Sequence, residues 1–179
     1  GRTYFTAILR DVSEARASQR ALQASETRFR TLAAAAPVGI FQADPAGRLV
    51  YVNPRWSDIV GLEADEAMGQ GWMRALHPAD RAAVLLAWQR LLDGRQPFDV
   101  RHRYLRADGS EAWVSAVAVA GYGEAGELHG YIGTVTDITE SHRQSLALER
   151  AKSEAEAAAR RALRQAIPRR SRRCWRASG

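Results

Sequence analysis

Four histidines, one cysteine and a cluster of glycines are the residues of this chain that could carry chemistry. The histidines are His77, His102, His129 and His142. None pairs with another at i, i+3 or i, i+4, the spacings that put two metal ligands on one helix face. Cys174 stands alone, which excludes an intramolecular disulfide and any multi-cysteine metal site. No Ser-His-Asp arrangement, G-x-S-x-G or H-E-x-x-H occurs, so no catalytic residue and no metal site is expected. Gly121-Tyr122-Gly123-Glu124-Ala125-Gly126 matches the G-x-G-x-x-G dinucleotide fingerprint in letters. That fingerprint needs a helix after it, whose N-terminus holds the pyrophosphate. Here a β-prone run, Leu128–Asp137, follows, so the glycines are read as a hairpin turn.

His102 differs from the other histidines. In Pro97–Arg106 the residues alternate, with Phe98, Val100, His102 and Tyr104 on one face and Asp99, Arg101 and Arg103 on the other. His102 therefore faces inward. It is either a buried histidine bonded to a neighbour or a contact for a ligand. His77 precedes Pro78 at the start of a helix and is read as its cap. Trp56, Trp72, Trp88 and Trp113 lie close together in sequence. They either fill a small core or wall a cavity for a flat or apolar molecule.

The elements that must position these side chains follow from composition and pattern. The chain has 179 residues, 46% of them apolar and 26% charged, which suits one ordinary domain with extensions. Its net charge is +6, but Ile167–Gly179 alone holds five arginines and no acid. The first 166 residues carry 21 basic side chains against 20 acidic ones, so the body is not expected to bind nucleic acid. No apolar run is long enough to cross a bilayer. The expected location is cytoplasmic, with membrane attachment of a parent protein left open. The chain begins at Gly1 without a signal peptide and reads as a piece of a longer protein.

Short β-prone runs at Gly39–Asp44 and Leu49–Asn53 flank the turn Asp44-Pro45-Ala46-Gly47. Asn53-Pro54 caps a short helix, Arg55–Val60, that ends at Gly61. Glu63–Met68 and Gly69–Leu76 are expected as further short helices. Pro78–Leu92 is a longer one, with Val84, Leu85, Trp88, Leu91 and Leu92 as its apolar stripe. Strands Pro97–Arg106, Glu111–Ala120 and Leu128–Asp137 complete an α+β domain with its helices gathered in one insertion.

Residues 11–35 and 138–166 read as helices outside this domain. Tyr4–Glu14 and Gly130–Glu140 resemble one another, with Asp11-Val12-Ser13-Glu14 matching Asp137-Ile138-Thr139-Glu140. This is either a chance likeness of two strand-to-helix junctions or the end of an earlier copy of the same domain. In both, an acid can cap the helix and a Glu three residues on can reach back.

The order and spacing of several short motifs resemble the S-box sensor modules of the PAS family. They are Gly39-Ile40-Phe41, Asp44-Pro45-Ala46-Gly47, Tyr51-Val52-Asn53-Pro54, Gly71-Trp72 and His77-Pro78-Ala79-Asp80-Arg81. Tyr104-Leu105-Arg106-Ala107-Asp108-Gly109, Trp113-Val114, Gly133 and Asp137-Ile138-Thr139 continue the series. The resemblance covers about residues 28–140. It implies a PAS fold, a five-stranded antiparallel sheet with helices over one face, flanked by N- and C-terminal signalling helices. The implied divisions are 1–10 as the end of a preceding copy, 11–35 as a linker helix and 36–137 as the domain. Residues 138–166 would be a signalling helix able to form a coiled coil, and 167–179 a disordered basic tail.

The resemblance also implies a ligand pocket between sheet and helices. Its candidates are Phe41, Trp56, Leu85, Trp88, His102, Tyr104, Val114, Ala116, Tyr131 and Val135, with Val100 on the same face. Trp113, Ser115 and Val117 on the outer face would meet the preceding helix or a partner chain. The cofactor is left unknown. A flavin–cysteine adduct is excluded, because the helical insertion has no cysteine. Haem is disfavoured, because no histidine lies in Ala79–Leu92. A small metabolite or no ligand at all is the expectation.

Asp137, Ile138, Thr139 and Glu140, with Asp11 upstream, would form the signal junction. A 3-4 ladder runs Ile138, Ser141, Ser145, Leu148, Lys152, Ala155, Ala159, Ala162, Ala166, so a homodimer through the flanking helices is expected. The output domain of the parent would be a histidine kinase or a diguanylate cyclase. This chain carries neither a phospho-acceptor box nor a cyclase motif and is not expected to be an enzyme. A ligand-free dimerisation spacer is the alternative. The Arg-rich tail either touches anionic lipid or nucleic acid or marks a truncated end.

Overall fold

The computed structural model describes Gly1, Thr3 and residues 13–94 and 96–166. The expected strand at 1–10, Asp11 and the basic tail lie outside the described residues. The chain divides into two units, Gly1–Ile138 and Thr139–Gly179.

In the first unit, helix α1 (Ser13–Ala35) leads into β1 (Gly39–Ala43) and β2 (Leu49–Val52). Helices α2 (Pro54–Val60) and α3 (Ala64–Ala67), a 3₁₀ turn at Gly71–Ala75 and α4 (Pro78–Leu92) follow. Strands β3 (Phe98–Leu105), β4 (Glu111–Tyr122) and β5 (Leu128–Asp137) close the sheet. The strand order is β2-β1-β5-β4-β3, and every pairing is antiparallel. This is the five-stranded PAS arrangement expected from the sequence.

Local chemistry explains the boundaries. The Asp44 carboxylate accepts the Ala46 and Arg48 N–H groups at 3.0 and 2.9 Å and closes the β1–β2 turn. The His77 ring caps α4, its Nδ1 accepting the Ala79 N–H at 3.2 Å. Asn53 does more than cap α2. Its Oδ1 accepts from Ile40 and Trp56 N–H at 2.7 and 2.9 Å, and its Nδ2 donates to the Ala33 and Val38 carbonyls at 2.7 and 3.0 Å. A side chain only 1% exposed thus has all its polar valences filled. It ties the end of α1 to β1 and α2. Ala33 is buried beside it, and Phe29 meets Tyr51 of β2 with ring centroids 5.7 Å apart.

Two expectations need correction. β4 was expected to stop at Ala120, but it runs to Tyr122, because Gly121 and Tyr122 still pair with Gly130 and Leu128 across a bulge. The segment expected as a helix at Gly69–Leu76 is the shorter 3₁₀ turn. The Gly123–Gly126 bend is a hairpin turn, with Gly123 N–H donating to Glu127 and Gly126 N–H to Gly123, at 2.8 and 3.0 Å.

The second unit is α5 (Thr139–Ala166), whose Leu148 and Leu163 are 72% and 67% exposed. Among the described residues no helix is long and apolar enough to cross a membrane.

Candidate functional site

The inward faces of sheet and helices meet in a layer of rings. Trp88 of α4 is at its centre, with centroids 5.3–6.1 Å from Phe41, Trp72, Phe98 and Tyr131. Its indole N–H donates to the Gly47 carbonyl at 3.3 Å, which orients the ring. Trp56 of α2 lies 6.3 Å from Tyr104, and Tyr104 lies 4.9 Å from His102. Gly133 of β5 lies under the Phe41 ring and the Val117 carbonyl, leaving no space for a Cβ.

Between these rings is a cavity where the centre of a water molecule has about 20 Å³. That is room for about one water. Phe41, Trp56, Trp88, Tyr104, Ala116 and Val135 line it, together with Leu49, Trp72 and Phe98. His102, Val114 and Tyr131 are buried in the same core but do not line the cavity. Val100 is half-buried against the core. Leu85 is a correction. It is only half-buried and does not reach the cavity, because Val84, Trp88 and Leu91 take the inward face of α4. Leu49, Trp72 and Phe98 were not among the expected lining. Phe98 shares the inward parity of Tyr104 and was legible from that alternation. Trp72 lies in a 3₁₀ turn too short to show a period, and Leu49 lies where the β1–β2 register shifts.

Two groups in this interior carry polar atoms without partners. Trp72 Nε1 and both ring nitrogens of His102 are buried and accept or donate no hydrogen bond. Burial pushes the His102 pKa down to about 4, an effect the Val100 backbone offsets in part. The ring is thus neutral at physiological pH. Burial also raises the Tyr104 pKa, so its hydroxyl stays protonated. The interior is uncharged, flat-sided and almost full. An isoalloxazine or porphyrin ring does not fit it without displacing tryptophans. The sequence also supplies no thiol within the domain for a flavin adduct. Among the described residues no cluster of His, Cys, Asp and Glu could hold a metal ion.

The edge of the sheet is built differently. Asp80, in the first turn of α4, takes three hydrogen bonds from Arg103 of β3. Its Oδ2 accepts from the Arg103 backbone N–H and Nε, both at 2.9 Å, and its Oδ1 accepts from Nη2 at 2.8 Å. The guanidinium hydrogen bond holds the Asp80 carboxyl below its ordinary pKa. In return, His77 N–H donates to the Arg103 carbonyl at 3.0 Å. Glu111 of β4 lies 3.3 Å from His77 Nε2 and 3.7 Å from Arg103 Nη1. On its other side the guanidinium lies 5.2 Å from the centre of the Trp113 ring.

Trp113 leads to the junction. Its carbonyl accepts the Ile138 N–H at 2.8 Å, and Val114 pairs with Asp137. Ile138 is the single residue between β5 and α5. Asp137 ends β5, and Thr139 and Glu140 open α5.

A family model described as the PAS fold matches residues 33–143, and the chain belongs to that family. It is a PAS sensor domain homologous to those of sensor histidine kinases. It is 32% identical over 149 residues to the C4-dicarboxylate transport sensor protein DctS of Rhodobacter capsulatus, covering 81% of this chain and 22% of that protein. It is 28% identical over 151 residues to the peroxide stress-activated histidine kinase mak1 of Schizosaccharomyces pombe, covering 75% of this chain and 9% of that one. The chain thus spans under a quarter of these relatives' length. Among solved structures, a sensory box histidine kinase/response regulator from Burkholderia thailandensis superposes with a TM-score of 0.56 at 28% identity. That match covers 73% of this chain and 98% of the other. An RNA-binding light-oxygen-voltage receptor gives 0.57 at 28% identity, over 74% and 37%. As a PAS domain the folded unit is a sensor module and not a catalytic one.

Proposed function

We propose that this chain is the relay segment of a two-component sensor, passing a change in domain packing to an output domain joined through α5. One observation carries the reading. A single residue, Ile138, separates β5 from α5, and its amide is bonded to the central sheet at Trp113. A strand that shifts must therefore shift the origin of the helix. The output is a histidine kinase in this reading, in keeping with the relatives, and the flanking helices pair two copies. The pocket candidates Phe41, Trp56, Trp88, Tyr104, Ala116 and Val135 are the surface where an input would be felt. Asp137, the last residue of β5, pairs with Val114 and holds the strand side of the junction. A population shift between two packings of the sheet is sufficient as mechanism, since neither state requires new chemistry.

The cavity of about 20 Å³ favours a second reading of the input. With the interior filled by its own rings, the signal arrives through α1 or a partner chain, and no small molecule is bound.

The test joins the chain through α5 to a reporter kinase and inserts one to four alanines after Leu148. A relay by helix orientation gives an output that rises and falls with the helical repeat. An output indifferent to insertion refutes it.

A further inference from the structure

The Asp80–Arg103 pair and the junction at Ile138 belong to one connected set of contacts. Asp80 is in the helix whose Trp88 lines the cavity. Three hydrogen bonds fix Arg103 to it, and both side chains are 22% exposed, so water screens the pair only in part. Arg103 lies over the Trp113 ring, which β-pairing places directly opposite it. The Trp113 carbonyl then holds the amide of Ile138, the first residue beyond β5. Glu111, two residues before Trp113 on the same strand, faces both Arg103 and His77 and adds a second brace from α4 to β4.

A mere fastening of α4 to the sheet edge is met by fewer contacts. The backbone bond from His77 to Arg103 and the bridge between Leu76 and Tyr104 already fasten that edge. The guanidinium adds reach. It carries the position of the α4 N-terminus across β3 to the one residue of β4 that holds the exit amide.

We propose that Asp80 and Arg103 are positioning residues for the exit junction, setting through Trp113 how firmly Ile138, the last residue before α5, is held to the sheet. This rests on the relay reading above and adds the route by which the helix over the cavity reaches the junction.

The experiment is amide hydrogen exchange by NMR on the whole 179-residue chain. Asp80→Ala is expected to speed exchange of the Ile138 amide about tenfold, the scale of a lost cation–π contact or of mutations along a coupled network. The Asn53 amide, bonded to Ile40 on the far side of the sheet, should keep its rate. Asp80→Glu, which retains the carboxylate, should restore most of the protection. Trp113→Leu removes the ring while leaving Asp80 and Arg103 in place. It should speed Ile138 in the same way, and it carries the test if Asp80→Ala does not fold. An Ile138 rate that stays unchanged while the Arg103 amide opens overturns the proposal, and so does equal acceleration at Ile138 and Asn53. Should Ile138 be unmoved in Asp80→Ala while a fused kinase loses its dependence on helix phase, the relay fails separately. If the kinase keeps that dependence, the relay stands without this route.

Discussion

The two sides of β3 are held in opposite ways. Phe98, His102 and Tyr104 point inward into a layer of rings that has contact and burial but scarcely a hydrogen bond. Arg103, between two of them in sequence, points the other way into a carboxylate, a second acid and an indole face. The inward side carries the larger free energy, because apolar burial scales with area and these are the largest side chains available. The outward side has less area and more direction. Charge-assisted bonds fix angles as well as distances. Within one strand, apolar burial and directed polar contacts thus fall to alternate residues.

The largest expected effect is on the inner side. Trp88→Ala removes the ring that meets Phe41, Trp72, Phe98 and Tyr131, and should cost about 3–5 kcal/mol of domain stability. Urea denaturation followed by circular dichroism measures it. A loss under ~1 kcal/mol would show that the layer is loosely packed, and the contrast between the two sides would collapse.

The next effect is a pH dependence. Above pH 6.5 His102 is neutral whether the chain is folded or not. As pH falls from 6.5 towards about 4, the unfolded chain takes up a proton that the buried ring refuses, so stability falls. Below about 4 both states are protonated and this contribution levels off. The loss across the window is about 3 kcal/mol. His102→Leu should flatten that part of the curve. A slope equal to that of the unaltered chain would place the proton uptake elsewhere.

At the junction, Asp137→Ala at the end of β5 removes one polar side chain and should cost only about 0.5–1.5 kcal/mol, the range for a single net hydrogen bond. Smallest for the domain is Leu148→Gln on exposed α5, within about 0.5 kcal/mol in domain unfolding. That same change, with Leu22→Gln on α1, should shift sedimentation at tens of micromolar from dimer towards monomer. An unaltered chain that sediments as a monomer at every concentration would remove the flanking helices from the account.

The sequence shows some of this more clearly than the rest, for physical reasons. The period-two pattern of Phe98, His102 and Tyr104 reports their face directly, because strand geometry has no other solution. The His77 and Asn53 caps are short-range and equally readable. The other three bonds of Asn53 are not, since Ala33, Val38 and Ile40 approach it only after the sheet forms. Leu85 misled because an apolar stripe on a helix is wider than the strip that reaches a cavity. Trp72 and Leu49 escaped because a 3₁₀ turn and a bulge break the periods that betray orientation. The Asp80–Arg103 pair joins residues whose charges look like ordinary surface charges in the sequence. Only the strand register brings Trp113 beneath the guanidinium.

The most direct test of the relay is Asp137→Ala in the chain fused through α5 to a reporter kinase, with melting and kinase output measured on the same preparation. The account predicts a melting curve shifted by a few degrees at most and a clear change in basal output or in its response. A folded variant whose output matches the unaltered fusion would contradict it, and the junction would then be a fastening and nothing more.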